Sequence, residues 1–316
     1  MIWFGAEIDG PMVVTRTVHF AASTMVAGAL IFRGFIAEPA LRAAPPAWAL
    51  VERQVRGIAW INLPIVVVSG LAWVLLLTMS LSGENLGEAV MSGALRDVLS
   101  LTQFGWVTQI RFALAIVLAI CLAFDRSVWR WLALGTALCL MASMAWTGHA
   151  ASTVHALGYF HLGSDALHLT AVSAWIGGLV PLALLLRTIG RHRGWGSLEL
   201  DVLKRFSTLG IACVTTLILS GVINAWILVG SFRGLIVTGY GQLLMLKLAA
   251  FAVMLAFAAL NRFALTPQLV SPSDDAWQNA HRALSRNTMI EIALGLSIFA
   301  MVGVLGALHP AAHFAN

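Results

Sequence analysis

HLGSDALHLTAVSAWIGGLVPLALLL, residues 161–186, is a run of 26 residues with one acid, two histidines and no lysine or arginine. At about 1.5 Å of rise per residue, such a run crosses the roughly 30 Å hydrocarbon core of a bilayer as a helix. Its apolar residues follow one another without alternation, which excludes a strand of a membrane barrel. Seven more runs of the same kind cover residues 12–32, 58–79, 105–124, 128–147, 205–229, 240–260 and 287–308. Only 10% of the 316 residues are charged, against about 25% in soluble domains. That is too little polar surface for a water-soluble chain of this size. The chain reads as an all-α integral membrane protein of eight transmembrane helices, one polytopic domain over residues 1–316, without a second soluble module.

Loop charge sets the orientation. The loops after the first, third, fifth and seventh runs carry fourteen of the lysines and arginines, while the other loops and the termini carry only Arg96 and Arg233. The positive-inside rule then places both termini on the outer side. It also accounts for the net charge of +5, so nucleic acid is not an expected partner. The opening MIWFGAEIDG lacks the basic region of a cleavable signal. Cys121, Cys139 and Cys213 fall inside apolar runs and are expected to be buried hydrophobes. His192 and His281 fall in basic inner loops and are expected to be solvated. The remaining seven histidines, with Glu7, Asp9, Glu84, Glu88 and Asp97, face outward. A surface rich in imidazole and carboxylate suits a metal cation.

The two halves of the chain match in order. HFAASTMVAGAL from His19 aligns with HLTAVSAWIGGL from His168, which sets Gly28 on Gly177. Ser69-Gly70 matches Ser220-Gly221, and FGWVTQIRFA with Arg111 matches YGQLLMLKLA with Lys247. His149 and His309 close the fourth and eighth runs. The expectation is a duplication, repeat one over about residues 1–155 and repeat two over about 156–316. The two repeats would be parallel and related by a pseudo-two-fold along the membrane normal.

Four histidines recurring at one depth, His19, His149, His168 and His309, are the candidate metal ligands, because ionisable groups in a membrane are costly and neutral imidazole binds copper or zinc. Accessory candidates are His155, His161, Asp165, His313 and Met144. His161, Asp165 and His168 share one helical face. Asp165 either ligates, orients an imidazole from behind, or balances Arg111 or Lys247. Arg16 stands one turn before His19, and its spacing assigns it no role. Paired histidines on different helices also leave open a haem b electron-transfer protein. No phosphate-binding loop, HExxH or Ser-His-acid arrangement is present, so no enzyme is expected.

WTGHAAS (146–152) and DALHLTAVSAWIGGLVPL (165–182) resemble the copper-resistance protein D family, whose pattern is a GHA segment at an outer helix end followed by an HL…WIGGL…PL helix. The resemblance runs the length of the chain. It implies an inner-membrane protein of copper homeostasis that moves copper from periplasm toward cytoplasm, alongside a separate periplasmic copper carrier of the CopC type. His149 and His168 are the positions it supports; His19 and His309 enter through the repeat. A copper-binding scaffold without transport is the remaining alternative. The inner half of the path offers only Asn62, Asn224 and Glu291.

Overall fold

The computed structural model describes residues 2–3, 6–7, 9–124, 126–148, 155–189, 196–270 and 273–308. Eight of its helices are long and apolar enough to span a bilayer. They are α1 (Gly10–Leu41), α2 (Pro45–Ser82), α3 (Gln103–Ala123), α4 (Ser127–Thr147), α5 (Leu157–Thr188), α6 (Gly196–Val229), α7 (Gly239–Val270) and α8 (Asp274–Leu305). Each is built on one of the eight apolar runs. The only strands among the described residues are the two-residue pair Ile2–Trp3 and Ala6–Glu7.

Several helices run well past their apolar stretch on the basic side. α2 has 38 residues, about 57 Å of helix, nearly twice what the hydrocarbon core needs. The extension opens with Pro45 in its first turn, where a missing N–H costs nothing. It carries Glu52, Arg53 and Arg56, which hydropathy reads as loop. These overhangs are bound together by charge. Arg33 of α1 lies 3.3 Å from Glu52 of α2 and donates to the Arg130 carbonyl of α4 at 3.0 Å. Glu38 meets Arg130 at 3.9 Å, and the Arg130 guanidinium lies over the Trp48 ring.

α1 and α5 form the centre of the bundle, while α6 and α7 present most of their surface outward. The two central helices cross backbone to backbone. A Cβ added at Gly28 would fall 2.3 Å from the Ser173 carbonyl and 2.5 Å from Gly177 Cα. One added at Gly177 would fall 2.3 Å from the Thr24 carbonyl and 3.0 Å from Gly28 Cα. Thr24-Gly28 and Ser173-Gly177 are small residues four apart, the spacing that lets membrane helices approach closely. Around this crossing lies one apolar core that includes Leu30, Phe32, Leu118, Met141, Trp175 and Leu179. Cys121 and Cys213 are buried as expected, but Cys139 is exposed. It sits on the outward face of α4, where a small apolar residue is at home in lipid.

On the side away from the basic loops, short helices lead into α3 and α7. Ala94–Leu101 precedes α3 and Phe232–Val237 precedes α7. The Thr102 hydroxyl caps α3 by accepting from Gly105 N–H at 2.9 Å, and Thr238 does the same for Gly241 at 3.0 Å. Both glycines lie under the preceding short helix. A Cβ at Gly105 would fall 2.1 Å from the Val98 carbonyl, and one at Gly241 2.3 Å from that of Leu235.

Candidate metal centre

His19 and His168 each sit nine residues before their crossing glycine, about 13.5 Å of helix rise. Each is held in the same way. His19 Nδ1 lies 2.9 Å from Ser69 Oγ, and His168 Nδ1 lies 2.9 Å from Ser220 Oγ. Each serine has one proton, and it is already committed. Ser69 Oγ donates to the Ile65 carbonyl at 2.5 Å and Ser220 Oγ to the Thr216 carbonyl at 2.6 Å. The imidazole is therefore the donor, its proton is on Nδ1, and the Nε2 lone pair is free. A ring fixed from behind with Nε2 bare is the arrangement of a metal-ligating histidine. Beside each ring the helix carries glycine. A Cβ at Gly70 would be 3.3 Å from His19 Cε1, and one at Gly221 3.9 Å from His168 Cε1.

The surroundings then diverge. Three residues before the histidine stands Arg16 in α1 and Asp165 in α5; four after the serine stands Trp73 in α2 and Asn224 in α6. Around His19 the guanidinium groups of Arg16 and Arg111 lie 5.1 and 5.9 Å from the Trp73 ring, and Trp73 meets His19 edge-on at 5.5 Å. His19 is 2% exposed, and its Nε2, like Thr108 Oγ1, is buried without a hydrogen-bond partner. Both groups line a cavity of about 10 Å³ shared with Arg111 and Phe112. That is room for about one water or one ion.

Around His168 the groups are mixed in charge. Asn224 Nδ2 donates to Asp165 Oδ1 at 3.1 Å, and Ser164 Oγ donates to Asn224 Oδ1 at 3.0 Å. Lys247 acts electrostatically on both Asp165 and His168. Asn224, expected in the inner half of the path, therefore belongs with Asp165, five residues before the end of α6. Of the two cations, Lys247 is the one whose charge acts on Asp165. Arg111 instead donates to Ser143 Oγ at 3.1 Å, to the Ser143 carbonyl at 2.9 Å and to Thr147 Oγ1 at 2.8 Å, closing the end of α4.

The helix ends away from the basic loops reach across the bundle. Gly148 follows α4, and a Cβ there would be 4.0 Å from Asp165 Oδ2 of α5. At the end of α8, the Gly306 carbonyl accepts from the Arg16 guanidinium of α1. His149, His309 and His313 lie outside the described residues, as does His192, and of His155 only the backbone, in the first turn of α5, is described. His161 is fully buried, at 1% exposure. Met144 is enclosed in the central core, also at 1%. Among the described residues no three His, Cys, Asp or Glu side chains gather closely enough to hold a metal ion.

The pairing of His281 with Glu199 was missed by sequence reasoning. His281, expected to be solvated, is buried and lies 2.7 Å from Glu199 Oε1, with Trp277 stacked on it at 5.0 Å. Its partner comes from α6, 82 residues away, so no local spacing marks the pair. Glu291 of α8 is 2% exposed and accepts from Asn261 Nδ2 of α7 at 2.8 Å.

A family model described as copper resistance protein D matches residues 200–305, and one for the copper resistance protein D-like N-terminal domain matches residues 7–159. The chain is 31% identical over 218 residues to copper resistance protein D of Pseudomonas syringae pv. tomato, covering 66% of this chain and 69% of that one. It is 32% identical over 217 residues to inner membrane protein YebZ of Escherichia coli strain K12, covering 66% and 70%. To copper transport protein CutJ of Bacillus subtilis strain 168 it is 29% identical over 242 residues, 73% of this chain but only 41% of that protein. No solved structure matches.

Proposed function

Because the chain belongs to the copper resistance protein D family, we propose that this copper-related, multi-pass inner-membrane protein passes copper from the periplasmic side toward the cytoplasm through an outer histidine site. The observation that carries the site is His168. Its Nδ1 is tied to Ser220, its Nε2 lone pair is free, and Asp165 stands one turn away. His149, next to a glycine that lies against Asp165, is the second ligand of this reading. His161 and Asp165 complete the surroundings, with Asp165 ligating or fixing an imidazole.

The reading makes the two halves four-helix repeats with both termini periplasmic. The reciprocal contact of Gly28 with Gly177 supports it: residues paired by the sequence repeat touch each other, as residues on a two-fold axis do. The halves are specialised in this account. His19, enclosed with Arg16 and Arg111, has a cation-rich setting that disfavours a copper ion, whereas Asp165 and Asn224 favour one at His168. A periplasmic carrier of the CopC type would deliver copper to the periplasmic face. In this reading copper is cargo.

The test is copper accumulation in cells that express the chain, compared with an empty vector and with His168→Ala. The reading predicts several-fold higher cellular copper with the wild-type chain and vector-level copper with the variant. Copper bound by the purified wild-type protein without any rise in accumulation would favour a scaffold instead.

A further inference from the structure

Glu291 lies midway along α8. One turn further along, a Cβ at Gly295 would fall 2.6 Å from Ile176 Cγ2 of α5, so the two helices touch there. Ile176 is the neighbour of Gly177 in the central crossing. Counting helix rise from this contact, Glu291 sits about 6 Å toward the basic face and His168 about 12 Å away from it. The carboxyl group is thus on the inner side of the candidate copper site and close to the bundle centre.

Its neighbours are amides. Asn261 Nδ2 donates to Glu291 Oε1 at 2.8 Å, and Asn287 Nδ2 donates to Asn261 Oδ1 at 2.8 Å. Asn261 opens a π-helical turn of α7, Asn261–Leu265, an irregularity that recurs at functional sites. Asn287 stands one turn from Glu291, and its Oδ1 is buried with no hydrogen-bond partner. This amide chain ends on the carboxyl group and leaves a buried acceptor one turn away unpaired, so the network is short of a proton.

Charged groups on the surrounding helices are engaged elsewhere. Arg262 of α7 donates to Ser207 of α6, Arg187 of α5 reaches Met289 Sδ at 3.9 Å, and Arg16 of α1 holds Gly306. Arg33 of α1 pairs with Glu52, while on α6 Arg205 pairs with Asp201 and Lys204 is exposed. On α8 itself His281 pairs with Glu199, Arg282 bonds to Gln278 and Asn279, and Arg286, Asp274 and Asp275 are exposed. Among the described residues none forms an ion pair with Glu291. A bare carboxylate with one amide donor and no cation is among the costliest groups a membrane helix can hold, and a proton removes that cost. The oxygen and amide groups around it are also a poor match for copper, which prefers imidazole or sulfur.

We infer that Glu291 is a proton-binding site that takes up and releases a proton as copper passes between His168 and the basic face. The coupling rests on the copper-passage reading above; the proton on Glu291 stands on the geometry alone.

Two measurements separate these parts. The full-length protein in detergent is treated at pH 7 with dicyclohexylcarbodiimide, which forms a stable acylurea on protonated carboxyl groups in apolar surroundings, and the peptides are mapped by mass spectrometry. Modification at Glu291 at least tenfold above that at Asp201, lost in Glu291→Gln and kept in Glu291→Asp, is the expected result. An unmodified Glu291 would overturn the proton site. Copper uptake into proteoliposomes is then measured with and without an imposed pH gradient. The gradient is expected to change wild-type and Glu291→Asp uptake at least threefold and to leave Glu291→Gln uptake unchanged. A Glu291→Gln protein that still responds to the gradient would overturn the coupling. Wild-type protein that moves no copper at all would overturn the copper-passage reading and the coupling with it, and carbodiimide labelling would still decide the proton site.

Discussion

Gly28 of α1 and Gly177 of α5 each occupy the space that the other's side chain would need: an added Cβ at either falls within 3.0 Å of the other's Cα. The contact joins the centres of the two helices that carry His19 and His168, so it fixes the spacing of the candidate sites.

Substitution at this crossing is expected to be among the most damaging in the chain. Gly28→Leu or Gly177→Leu places a side chain against backbone, which cannot yield, and overpacking of this kind costs about 1–3 kcal/mol or more. Gly210→Leu, where nothing lies within 4 Å of the added Cβ, serves as the control. Thermal unfolding of the purified variants in detergent checks this. Equal melting temperatures for Gly28→Leu and Gly210→Leu would contradict the close crossing.

The overhanging ends of α6 and α8 depend on Glu199 and His281. The Glu199 side chain is 0% exposed and that of His281 11%, so the pair is shielded from competing water. Glu199→Ala removes the acceptor and leaves the ring nitrogen unpaired, an expected loss of about 1.5–3 kcal/mol. Glu199→Gln keeps an oxygen at that position and should recover part of it. The readout is again the melting temperature, and a Glu199→Ala protein as stable as wild type would show that the pair contributes nothing.

What was legible in the chain follows from what local sequence can carry. Eight spans were readable because a bilayer demands some twenty apolar residues in succession, and those leave an unmistakable run. Aligning the two halves paired Gly28 with Gly177 and Ser69 with Ser220, and these residues make the close crossing and lie against the imidazoles. Helix ends were misjudged on the basic side. Residues 45–57 continue the helix of α2 beyond its apolar run, and their charge reads as loop. The burial of His281 and the partnership of Asn224 with Asp165 depend on contacts 82 and 59 residues apart in sequence. Such partners are chosen by packing, and no spacing within either segment announces them.

The most direct measurement is copper affinity and stoichiometry of the purified full-length protein, compared across His168→Ala, Ser220→Ala and His19→Ala. The account predicts at least tenfold weaker binding when His168 is removed. It predicts a loss of about tenfold for Ser220→Ala, which frees the ring to turn, and a smaller change for His19→Ala. Wild-type affinity in His168→Ala would contradict the account.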